Sequence, residues 1–134
     1  MRKRALATVA IAVLIAAGYL GGAGDHQPQA ATRDSYSIVR QAIVHKLDIA
    51  AIYAGRRRLM SPHVIGTKNG RRQALFFQFG GSSSSGLPPG GDWRCMAVDG
   101  LRHVSSFRGA WHTGKRHTRA QTCVDVVDVV ARWR

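Results

Sequence analysis

Three groups of arginine interrupt the apolar stretches of this chain: Arg56-Arg57-Arg58, Arg71-Arg72 and Arg94. Each adjoins a segment rich in β-formers, with Tyr53, Phe76, Phe77, Phe79 and Trp93 close by in sequence. Guanidinium forks grip phosphate and carboxylate oxygens two at a time, and aromatic faces stack on bases. The chemistry these residue types suit is the binding of a polyanion, namely a nucleotide, a nucleic acid or another multiply charged partner. The candidate ligand-binding positions are Arg57, Arg58, His63, Arg71, Arg72, Gln78, Trp93 and Arg94. The competing reading is a core of phenylalanines beneath solvated arginines. Alternation puts Leu75, Phe77 and Phe79 on one face of an extended segment, so those three are read as core.

Other chemistry finds less support. Glu is absent and the Asp residues are scattered, so no carboxylate pair suits acid–base work. Serine, histidine and aspartate all occur, but there is no Gly-x-Ser-x-Gly elbow and no glycine-rich phosphate loop. His63 follows Pro62, and a lone histidine there is more often a hydrogen-bonded turn residue than a catalyst. His112 and His117 have a spacing that zinc accepts, and Cys95 and Cys123 would complete a set, but the cysteines are isolated from each other. No catalytic residue, metal or cofactor is assigned. The two cysteines are a candidate disulfide if the domain is exported, and buried thiols otherwise.

The charge is lopsided. Lys and Arg number 20 against 7 Asp, a formal net charge of +13. Three of those cations, Arg2, Lys3 and Arg4, precede a charge-free run from Ala5 to Ala23; without them the net charge is still +10. That run of 19 residues nearly matches the ~20 needed to span a bilayer, and the cations before it predict an N-terminus in the cytoplasm. A cleaved signal peptide and an uncleaved membrane anchor both fit residues 1–24. Either places the remaining domain outside the cytoplasm, in the periplasm or on the inner membrane. A cytoplasmic domain is the alternative, and an envelope interaction protein of unknown partner is the rival functional reading.

After a polar linker (25–33), residues 34–134 read as one small domain. Asp34 or Ser35 caps a helix with Ile38, Val39, Ala42 and Ile43 on one face. Strands follow at Leu47–Tyr53, Leu59–Ile65, Gln73–Phe79, Trp93–Val98 and Leu101–Phe107. Pro62 predicts an edge or a bend, and Asn69-Gly70 a hairpin. Residues 80–92 (GGSSSSGLPPGGD) read as a flexible loop, either functional or mobile. Cys123–Trp133 is ambiguous, since its valines favour a strand and its charge spacing a helix. The fold class is mainly β with a leading helix, as a small barrel or sandwich.

The stretch from Val39 to Val104 resembles the WYL domain family. The resemblance rests on Ala42-Ile43, Ile52-Tyr53 before Gly55, Arg58 before Pro62, the apolar-aromatic strand after the hairpin, Val98-Asp99, Leu101 and Val104. It implies an SH3-like or Sm-like small barrel that senses a ligand, often nucleic acid or a nucleotide, without catalysis. Two positions depart from the pattern. The name-giving Trp-Tyr-Leu falls on Gln73-Ala74-Leu75, and a basic position falls on Gly100. Both belong to the family's ligand pocket, so the ligand does not carry over. The apolar N-terminus, and the lack of a helix-turn-helix before the domain, also depart from an intracellular regulator.

Overall fold

A computed structural model describes residues 34–115 and 120–132; the signal or anchor reading of the N-terminus, and His117, lie outside them. The elements run α1 (Ser35–His45), β1 (Asp48–Tyr53), β2 (Arg56–Lys68), β3 (Arg71–Gly81), β4 (Asp92–Ala97), a 3-10 turn (Val98–Gly100), β5 (Arg102–Phe107) and β6 (Val126–Val130). Asp34 caps α1, its Oδ1 accepting the Ser37 N–H at 2.8 Å, and Lys46 ends it in the left-handed region. Val39, Ala42 and Ile43 are the buried face. Two tight turns set the sheet register. Ala54-Gly55 and Asn69-Gly70 all have positive φ, which matches the right-handed twist of the flanking strands.

All strand pairs are antiparallel, in the order β4-β3-β2-β1-β5, with β6 added to β2. β2 takes two neighbours in turn along one edge, β1 against residues 56–60 and β6 against residues 64–67. Pro62 therefore sits in the central strand and not at an edge. It occupies the gap between those two partners, at a register shift against β3, where a residue without an N–H removes no ladder bond on that side. Gly66 lets β6 approach; a Cβ there would overlap the Val126 carbonyl oxygen.

The expected barrel is not formed. Among the described residues the sheet stays open, because β4 and β5 each pair with a single neighbour and not with each other. The helix fills the inner face instead, packing on β1, β2, β5 and β6. Val39, Ala42 and Ile43 meet Ile49, Met60, Ile65, Ala74, Phe76, Met96 and Leu101 there.

The outer face is covered as well, by the irregular strap 108–115 and by residues 120–125. This explains the burial pattern of β3. Ala74 and Phe76 belong to the inner core, whereas Phe77 is buried and Leu75 half-buried on the other side. Phe79 is half-buried and stacks on His112, with centroids 3.9 Å apart. The C-terminal valines form a strand, and its partner is β2.

Candidate anion site

Cross-strand register places Arg58, Met60, Phe76, Gln78 and Arg94 on the inner face: Arg58 stands opposite Ala51, Met60 opposite Ile49 and Gln78, Phe76 opposite Arg94. The helix covers the apolar part of this face. At its other end the polar residues gather beneath the loop 82–91.

Arg58 is only 4 % exposed. Its Nη1 donates to Gln78 Oε1 at 3.3 Å and its Nη2 to the Tyr53 carbonyl at 3.1 Å. The guanidinium lies 5.4 Å from the Tyr53 ring centroid. Its Nε is buried without a hydrogen-bond partner. Among the described residues no carboxylate pairs with it. Burial, followed by the charges of Arg94 and then Arg56, pulls its pKa below the ordinary arginine value, an effect that Tyr53 partly opposes.

Arg94 is the second cation. Its Nη2 donates to the Gly86 carbonyl at 2.7 Å, its Nη1 lies 3.6 Å from Asp92, and its Nε is also buried without a hydrogen-bond partner. Gln78 fastens the base of the loop, its Nε2 donating to the carbonyls of Gly80 (3.0 Å) and Ser82 (3.1 Å). A cavity of about 510 Å³ opens between the loop and β4, lined by Ser85, Gly86, Leu87, Pro88, Asp92 and Arg94. Arg94 and the loosely placed Asp92 are the charged groups of this recess, beside Leu87 and Pro88, and Arg58 lies buried outside its lining, near enough for the Arg94 charge to act on it. The recess suits the binding of an anion.

The other candidate residues lie elsewhere. Arg57 is exposed on the opposite face of β2. Arg71 and Arg72 sit at the far end of β3, about 20 Å from Gln78 at ~3.3 Å per residue. Arg71 is exposed there, while Arg72 is committed to Asp99 (Nε 3.2 Å, Nη2 2.5 Å) and Asp34 (3.7 Å) and stacks on Tyr36.

Trp93 and His63 lie under the strap. Trp93 Nε1 donates to the Lys115 carbonyl at 2.8 Å. His63 is 1 % exposed, its Nε2 3.0 Å from the His112 carbonyl and its ring against Trp93 and Trp111. It is an anchor for the strap and does not share a face with Arg58 and Arg94.

Sequence reasoning did not single out Asp48 and Ser61, which complete that anchor. Ser61 Oγ donates to Asp48 Oδ1 at 2.6 Å and accepts the His112 N–H at 2.7 Å; Asp48 Oδ2 accepts the Trp111 N–H at 3.4 Å. The available signal was a lone Asp opening the apolar strand Asp48–Tyr53. Ser61, His63 and Asp48 thus hold an irregular backbone in place, and the Ser61 hydroxyl is occupied on both sides.

Cys95 and Cys123 form a disulfide that ties β4 to the segment before β6. Among the described residues no group of three His, Cys, Asp or Glu could hold a metal. Nor, among them, is any helix long and apolar enough to cross a membrane. No family model, curated protein or solved structure matches the chain.

Proposed function

We propose that the domain is a non-enzymatic binding module whose Arg58–Arg94 recess takes an anionic group of a nucleotide, a nucleic acid or another polyanion. The observation that carries this reading is Arg58. Keeping a guanidinium away from water near a second one, with no carboxylate against it among the described residues, disfavours the empty fold. An anion held in the recess at Arg94 would offset the repulsion between the two cations. The WYL-domain resemblance belongs to the same proposal, with Arg58 as its matching position and with the ligand left unassigned by the departures at Gln73, Ala74 and Gly100.

A binding titration over a salt series tests it, using a labelled single-stranded oligonucleotide and separately a nucleoside triphosphate. Affinity should fall steeply with salt, as it does when cations displace counterions from a polyanion. Binding that ignores salt, or no binding of either probe, would remove the reading.

The disulfide favours a second element of the proposal, that the domain works outside the cytoplasm. Such bonds persist in oxidising compartments. Residues 5–23 would then export the domain or hold it at the membrane, and the same recess would meet an anionic envelope component. An alkaline phosphatase fusion at the C-terminus, compared with one lacking residues 1–24, tests this. Activity confined to the full-length fusion is expected, and well-expressed but inactive fusions would place the domain in the cytoplasm.

A further inference from the structure

The loop over the recess holds Arg94 in a way that bears on how an anion enters. A guanidinium binds an oxyanion side-on through Nε and Nη2, which point the same way. Arg72 shows that grip within this molecule, with Nε and Nη2 both on Asp99. In Arg94 the same edge is half taken. The Gly86 carbonyl occupies Nη2 at 2.7 Å while Nε stays buried without a hydrogen-bond partner. Arg58 repeats the pattern, with the Tyr53 carbonyl on Nη2 and Nε again without a partner.

Tyr53 belongs to β1 and is fixed in the sheet. Gly86 belongs to a loop held at its base by Gln78 and at its crown by this bond to Arg94, with Gly86, Gly90 and Gly91 all at positive φ.

We infer that the loop 82–91 is an autoinhibitory plug: the Gly86 carbonyl stands where a ligand oxygen would, and an anion must displace it and lift the loop to gain the side-on edge of Arg94. A carbonyl is a weaker partner for a guanidinium than an oxyanion, so the exchange runs toward the ligand once its concentration suffices. The inference rests on the anion-site reading and adds a closed state that lowers apparent affinity. A protein whose competent state is partly populated binds more weakly by that fraction.

The closed loop depends on glycine. Gly86 and Gly90 have φ of +85° and +88°, and a Cβ at either would touch nothing within 4 Å. Alanine there strains the closed conformation without disturbing any packed neighbour. The test measures binding of inorganic pyrophosphate to the full-length protein, to Gly86→Ala and to Gly90→Ala, with amide exchange of 82–91 followed in each. Both variants should bind more tightly, by about fivefold or more if the left-handed penalty is ~1–2 kcal/mol. Exchange in the wild-type loop should rise when pyrophosphate is bound. Weaker or unchanged binding in both variants, with pyrophosphate still bound by the wild type, would overturn the plug and leave the anion site standing. Binding by none of the three proteins would overturn both. Thermal unfolding of each variant shows that the sheet is intact, and either glycine suffices if the other variant fails to fold.

Discussion

Arg58 and Ser61 lie close together on β2, point to opposite faces of the sheet, and are both buried polar residues. Their partners separate their roles. Ser61 is matched on both sides, by Asp48 and by the His112 N–H, so it contributes to folding. Ser61→Ala leaves a buried carboxylate oxygen and a buried amide short of a bond each. It should cost about 2 kcal/mol or more in denaturant unfolding and speed amide exchange at Trp111 and His112. An unchanged unfolding midpoint would show that the strap does not depend on this anchor. Asp128 accepts from Tyr36 (2.7 Å) and Arg40 (3.1 Å). Those bonds, Tyr36 first, hold its carboxyl below 3.8, while burial and then Asp128 push the Tyr36 hydroxyl up to about 12. The sign follows for each. A depressed carboxyl contributes stability above 3.8 that is lost as pH falls through the folded value, and a raised phenol contributes stability below 10.0 that is lost as pH rises toward 12. Asp128→Asn should flatten the acid limb of an unfolding-midpoint-against-pH curve, and Tyr36→Phe the alkaline limb. Limbs identical to wild type would contradict the assignment.

Among the elements, the strands and turns were legible because their signals are local. Asn69-Gly70 demands positive φ and makes the β2–β3 hairpin, and Asp34 caps α1 where its side chain can reach Ser37. What was not legible depends on which edges are shared. A proline normally demotes a strand, but Pro62 falls in the gap between two partners of a long central strand. Alternation in Gln73–Phe79 marked Phe77 and left Phe76 unassigned, although both are buried, because the strap makes a second covered face. The valines of β6 fitted two periods until Gly66 offered a backbone close enough to pair. Gly66→Ala should therefore act at this junction. Its Cβ would overlap the Val126 carbonyl, and overpacking of this kind costs about 1–3 kcal/mol. The loss should be accompanied by faster exchange at Val127 and Val129, and exchange confined to β3 would contradict that pairing. The candidate arginines divided for the same reason: sequence put Arg58, Arg71 and Arg94 in one set, and the run of β3 sets Arg58 at the end opposite Arg71 and Arg94 at its middle.

At the scale of the whole molecule, the disulfide closes a segment separated by 28 residues, joining β4 to the covering of the outer face. Chain-entropy arguments give about 3–4 kcal/mol for a loop of that length. Cys95→Ser with Cys123→Ser should lower stability by that order without changing the Arg58–Arg94 recess, which lies on the other face. Equal stability of the reduced and oxidised protein would contradict this. The molecule's positive charge sets how fast anions arrive, whereas the recess sets where they stay. The central claim is that binding resides at Arg58 and Arg94 and not in the general basic field. The most direct measurement compares Arg58→Gln with Arg71→Gln, two changes of equal charge at opposite ends of β2–β3, by titrating each full-length protein with the same polyanion at fixed salt. The account predicts a loss of about tenfold or more for Arg58→Gln, given ~1.5–3 kcal/mol for a charged hydrogen bond. It predicts only the small, salt-screened change of a surface cation for Arg71→Gln. Equal losses from the two substitutions would contradict it, since diffuse charge alone would then explain the binding.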